Sequence, residues 1–198
     1  MVAVVNRAPD STIDTIGGIS VTAQIFALCN QKGGVGKSTS TFHLARAAVL
    51  RGQRVLVVDN DPQGNLTSVA AAEPVGEDQA GLADVLSARA PETLRDVIVP
   101  GIWSGLDVVP TSGITLGWVR DELVIAGAGR EGRLREALAG VEDDYDVILI
   151  DCQPSLGLLT VNALACSQGV IIPMECEFFS LRGLALLTDT VEKVSDRI

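Results

Sequence analysis

From Ile25 onward, short apolar runs alternate with longer stretches whose apolar positions recur at helical spacing. That alternation is the pattern of a parallel α/β sheet. Ile25–Asn30 predicts a first strand and a glycine-rich turn follows it. Ser38 to about Arg51 then predicts a helix, ended by Gly52. Arg54–Asp59 reads as a second strand and Leu106–Val109 as a third. Asp146–Ile150 is brief, apolar and β-branched, the mark of a central strand, and Gly169–Pro173 gives the last one. Helices are expected over Gly81–Arg89, Pro91–Val97, Leu116–Ile125, Arg130–Leu138, Leu156–Cys166 and Leu181–Arg197. Residues 1–24 lack a sustained period and read as an N-terminal extension, partly flexible. Residues 25–198 read as one domain.

Composition narrows this picture. Aromatic residues are only 4% of the chain, so the core must rest on Val, Leu, Ile and Ala. A net charge of −10 argues against a chain-wide basic surface for gripping nucleic acid. Cys29, Cys152, Cys166 and Cys176 form no CxxC pair and His43 is the only histidine, so reduced buried thiols are a better reading than a zinc site. No basic segment with a long apolar run opens the chain, and no run approaches the roughly 18 apolar residues of a membrane span. A cytoplasmic protein is expected.

The turn after the first strand reads Gln31-Lys32-Gly33-Gly34-Val35-Gly36-Lys37-Ser38-Thr39. Strand, glycine-rich turn, Gly-Lys-Ser and helix in this order are what a phosphate-binding loop needs. Glycines let the main chain approach phosphate closely, and successive N–H groups together with the helix N-terminus favour the anion. Lys37 is placed to reach β- and γ-phosphates, and the Ser38 hydroxyl to ligate Mg²⁺. The general pattern begins with glycine; here Gln31 stands there and an extra lysine, Lys32, follows.

Two apolar strands end in carboxylates. Val55–Val58 lead into Asp59-Asn60-Asp61-Pro62-Gln63-Gly64-Asn65, and Val147–Ile150 lead into Asp151. In open α/β sheets such positions face the crevice where ligands bind. Asp151 occupies the position that holds Mg²⁺, through a water. Asp59 and Asp61 point the same way if the strand continues, one for the metal shell and one for an attacking water. A turn or helix cap is the competing reading for either.

These residues carry a resemblance. Lys32–Thr39 resembles the deviant Walker A motif of the ParA/MinD ATPases, and Asp59–Asn65 the DxDPQGN segment of the ParA partition branch. Asp151-Cys152-Gln153-Pro154-Ser155-Leu156-Gly157 looks like that branch's DCPPSLG, and Pro173–Leu181 like its P-x-x-CEYFAL. The resemblance implies a P-loop NTPase fold, a mostly parallel twisted sheet with helices on both faces. It implies an ATPase that binds ATP and Mg²⁺ and forms an ATP-dependent homodimer. Lys32 would then cross to the partner's phosphates, Lys37 hold phosphates in its own subunit, Ser38, Asp59 and Asp151 serve the metal, and Asp61 position the hydrolytic water. Lys32, Gly33, Gly34, Val35, Gly36, Lys37, Ser38 and Thr39 would together form the nucleotide loop. Slow hydrolysis would time a switch in plasmid or chromosome partition, in the cytoplasm or on the nucleoid.

The family's partners are a ParB-like centromere-binding protein and DNA bound without sequence preference. The chain is expected to lack the family's C-terminal part, which carries basic residues and some of the adenine pocket; with its acidity, this sets its own DNA binding apart from the family's. Gln153 replaces a proline usual in the family. Two alternatives use the same loop. A MinD-like positioning ATPase would need a membrane-binding helix, and a nitrogenase-reductase-like protein a cysteine-held iron–sulfur cluster. His43 reads as a packed or partly exposed helix residue, and Trp103 and Trp118 as packing residues or, second, dimer contacts.

Overall fold

The computed structural model describes residues 2–6, 22–90, 92–175, 187–191 and 193. Among the described residues seven strands form one sheet: β1 (Val2–Asn6), β2 (Gln24–Leu28), β3 (Val55–Asn60), β4 (Val99–Pro100), β5 (Leu106–Val109), β6 (Val147–Cys152) and β7 (Gly169–Pro173). Their order is β1-β7-β2-β6-β3-β5-β4. The five central strands are parallel, and β1 and β4 close the edges antiparallel. The helices bounded at both ends by described residues are α1 (Lys37–Val49), α2 (Asn65–Ala70), α3 (Leu82–Leu86), α4 (Leu94–Val97), α5 (Thr115–Ile125), α6 (Arg133–Leu138) and α7 (Leu158–Cys166). This is the α/β class expected from the alternating pattern.

Side-chain alternation divides the core in two. On one face Val55 and Val57 of β3 and Leu149 of β6 pack with Ala45 of α1 and Leu66 and Ala70 of α2. On the other, Leu56 and Val58, Ile148 and Ile150, and Ala27 pack against Leu82, Leu94, Leu116, Leu134 and Leu159 of α3 to α7. Both faces being covered, the central strands read as unbroken apolar runs. The same period carries past the apolar residues. Asp59 follows Val55 and Val57, and Asp151 follows Val147 and Leu149, so both carboxylates fall on the α1 face.

Several elements differ from the sequence reading. Residues 2–6 of the expected extension form β1, with Val2 opposite Pro173; a five-residue strand declares itself only through a partner at the far end of the chain. Neither α2 nor the two-residue β4 was anticipated, and Pro100 sits where proline is tolerated, on an edge. The helices at 81–89, 130–138 and 156–166 start or end later or sooner than expected, α7 beginning only after Gly157. Pro91 and most of 181–197 lie outside the described residues, of which 187–191 are helical. Trp103 packs, with its ring 4.7 Å from Phe42 and the Arg46 guanidinium 4.7 Å over it. Trp118 does not; it is 64% exposed. Among the described residues no helix is long and apolar enough to cross a membrane.

Candidate functional site

The loop between β2 and α1 turns on two glycines. Gly34 and Gly36 have φ of 77° and 81°, conformations that side-chain-bearing residues avoid. A Cβ on Gly33, Gly34 or Gly36 would meet nothing within 4 Å. The two φ values, and not crowding, explain glycine at 34 and 36, and the loop surface is left open to an approaching group. Gly36 caps α1 without a side-chain bond, and the first turn carries no acidic residue. The N–H groups of that turn thus keep their capacity for an anion.

Lys37, the first residue of α1, is 7% exposed, and its ammonium donates to the Lys32 carbonyl at 3.4 Å. One helical turn on, the buried Thr41 hydroxyl donates to the Lys37 carbonyl (3.1 Å) and lies 3.5 Å from Asp151 Oδ1. Asp59 and Asp151 are direct partners across β3 and β6, which explains why both meet α1. Asp61 follows them into the turn after β3 and is buried too.

The two strand-end carboxylates have different surroundings. Asp59 Oδ2 accepts from both the backbone N–H and the hydroxyl of Thr67, each at 2.7 Å, and Oδ1 from the Asp61 N–H at 3.3 Å. Its carbonyl accepts from the Thr111 hydroxyl at 2.6 Å. Asp59 is thus tied into α2 and the loop after β5. Asp151 Oδ2, in contrast, is buried without a hydrogen-bond partner. Burial pushes the Asp151 carboxyl up to about 7; the Ser38 hydroxyl and Lys37 beside it work against that, and the charges of Asp59 and Asp61 add to it. Burial likewise pushes Asp59 up to about 6, against the bonds from Thr67 and Asp61. An orphaned carboxylate oxygen among three acids and one lysine suits a hard cation, which takes oxygen ligands and keeps several waters.

Of the residues singled out from sequence, the structure brings together Lys37, Ser38, Asp59, Asp61 and Asp151. Asp61 does not extend β3: its Oδ1 accepts the Gln63 N–H at 3.0 Å, so the turn reading of this residue also holds. Lys32, in the loop, and Thr39, in the first turn of α1, are exposed, and Val35 is half-buried. Thr41, Thr67 and Thr111 escaped sequence reasoning. Thr41 carried a signal, its place one turn after Lys37; Thr67 and Thr111 carried none, because only the folded sheet brings them to Asp59. Cys29, Cys152 and Cys166 are buried free thiols, and Cys166 is pushed up to about 12 by burial. Cys176 lies outside the described residues. Two surface clefts, of about 460 and 410 Å³, lie between α3 and α5 and between α4 and α6. Neither contains a residue of the loop.

The raised carboxyl of Asp151 has a definite sign for stability. Its proton is kept in the folded chain to about pH 7 and lost from the unfolded chain near the ordinary value, 3.8. Folding therefore loses stability as pH rises from about 4 to about 7, and the loss is constant above. In metal-free buffer, Asp151→Asn should be more stable than the parent at pH 8, and the gap should close toward pH 4. Urea midpoints across that range measure it.

An AAA domain family model matches residues 23–198. The chain is 54% identical over 176 residues to an uncharacterized protein of Mycobacterium tuberculosis and covers 89% of itself but 54% of that relative. It is 44% identical over 175 residues to the sporulation initiation inhibitor protein Soj of Bacillus subtilis, covering 88% of itself and 67% of Soj. With the chromosome partitioning protein ParA of Caulobacter vibrioides it shares 42% over 175 residues, 86% of this chain and 63% of that one. Among solved structures, a cobyrinic acid a,c-diamide synthase from Mycobacterium smegmatis, with bound ATP analogue and magnesium, superposes with a TM-score of 0.79 at 35% identity. That match covers 88% of this chain and 69% of the other. The chain thus spans about half the length of the first curated relatives it matches. With glycines, lysine and register-paired carboxylates arranged as this loop requires, the chain belongs to the AAA domain family, in its ParA/Soj branch of deviant Walker A P-loop proteins.

Proposed function

We propose that this chain binds ATP with Mg²⁺ at the Lys32–Thr39 loop and hydrolyses it slowly to drive a nucleotide-dependent dimer switch in plasmid or chromosome partition. The observation that carries the reading is the register pairing of Asp59 with Asp151, buried on the face of α1 that presents Lys37. Soj and ParA, named above, support the partition context.

In this reading the loop N–H groups and Lys37 hold the phosphates. Ser38 and Asp151 hold Mg²⁺, with Asp59 behind them adding charge and fixing α2. Held there, the metal would supply positive charge to offset the charge that builds up on the phosphates. Burial of Asp151 and Thr41 keeps bulk water from that side of the phosphates. Asp61, at the turn where β3 ends, orients the attacking water. Lys32, exposed at the rim, reaches the phosphates of a second subunit, so that ATP occupancy and association are coupled. A ParB-like protein is the partner this reading supplies. A second reading, ATP-dependent amide formation, is favoured only by the name of the M. smegmatis neighbour. It would require ATP turnover to depend on a carboxylic acid substrate and not on DNA or a ParB-like protein.

Replacing Lys37 by Ala should weaken Mg–ATP binding by about 2–5 kcal/mol, because a desolvated phosphate loses its partner charge. Calorimetry reads this directly, and unchanged affinity would remove the loop from the account. Asp61→Ala should still bind ATP but release phosphate far more slowly than the parent; equal turnover would take the water-positioning role away from Asp61.

A further inference from the structure

Both lysines of the loop are engaged inside the chain. Lys37 donates to the Lys32 carbonyl, and the Lys32 ammonium is ion-paired and hydrogen-bonded to Glu175, two residues beyond the end of β7. The pair joins positions 143 apart in sequence. Its geometry is set by Asn30, which lies between the two arms. Asn30 Oδ1 accepts the Lys32 N–H at 3.0 Å, and its amide donates to the Pro173 carbonyl at 2.7 Å. One asparagine therefore holds the start of the loop against the segment that carries Glu175. The two side chains are 43% and 47% exposed, at a surface that a second molecule can reach.

We propose that Glu175 is an internal competitor for Lys32, a latch that keeps the lysine on its own chain until a second copy of the chain offers the phosphates of ATP. The inference rests on the reading that Lys32 crosses between subunits. An ammonium drawn to the opposite phosphates must leave Glu175, and each side of the dimer opens one latch. An exposed ion pair is a weak competitor, and the concentrated charge of a triphosphate outbids it. A nucleotide lacking the γ-phosphate offers less. The latch therefore raises the threshold for association, and ADP meets that threshold less readily than ATP.

Sedimentation of the parent, Glu175→Gln and Glu175→Ala tests this with Mg–ATP and with Mg–ADP, in an Asp61→Ala background that slows turnover. Both Glu175 variants should dimerise more tightly with ATP, by up to about fivefold for each lysine released and so up to about 25-fold for a symmetric dimer. The gain should shrink at high salt. It should vanish when Lys32→Ala is added, and calorimetric ATP affinity of the monomer should stay at the parent value. Dimerisation no tighter than the parent's, or weaker, in both variants overturns the latch while leaving the crossing lysine intact. A parent that stays monomeric with ATP, under conditions where calorimetry shows it loaded, overturns the crossing lysine and the latch together.

Discussion

The site depends on one constraint, the placing of two aspartates at the same register on neighbouring parallel strands. Asp59 and Asp151 continue the apolar alternation of β3 and β6 onto the α1 face. Buried side by side, they cannot both ionise at low cost. The surroundings of α1 answer that cost only in part. Lys37 and Ser38 lower the Asp151 carboxyl, yet burial still holds it near 7. A core otherwise built from Val, Leu, Ile and Ala thus ends in a concentration of negative charge at the mouth of a glycine loop. That imbalance is what a divalent cation would relieve, and it costs the folded chain stability until one arrives.

The two carboxylates divide the work through their partners. Asp59 spends its oxygens on Thr67 and on the Asp61 N–H, and so anchors α2 and the turn that carries Asp61. Asp151 keeps one oxygen without a donor. The more satisfied acid sets the frame, and the less satisfied one faces the loop. The rim lysine and the buried lysine differ in the same way. Lys37 is enclosed beside the carboxylates, while Lys32 sits at the surface on an ion pair with Glu175.

How far the sequence shows this follows from the distance over which each feature is built. The loop, α1 and the apolar strands are local, so Gly36-Lys37-Ser38 and the run into Asp151 could be read directly. The five parallel strands followed from the same periodicity. Asp59 was less legible, since its neighbours Asn60 and Pro62 suit a turn equally well, and the contacts with Thr67 and Thr111 that settle its surroundings come from α2 and the loop after β5. The edge strand β1 and the Lys32–Glu175 pair depend on partners across nearly the whole chain, Pro173 and Glu175. No local pattern of propensity or spacing encodes such pairings.

In the proposed function, the orphaned oxygen of Asp151 serves a magnesium ion shared with ATP. Titrating ATP into the parent and into Asp151→Asn, each with Mg²⁺ and with EDTA, separates the metal's share of binding from that of the loop. The parent should gain affinity with Mg²⁺, and Asp151→Asn should keep the EDTA-level affinity but lose most of that gain. An equal Mg²⁺-dependent gain in both proteins would contradict that role.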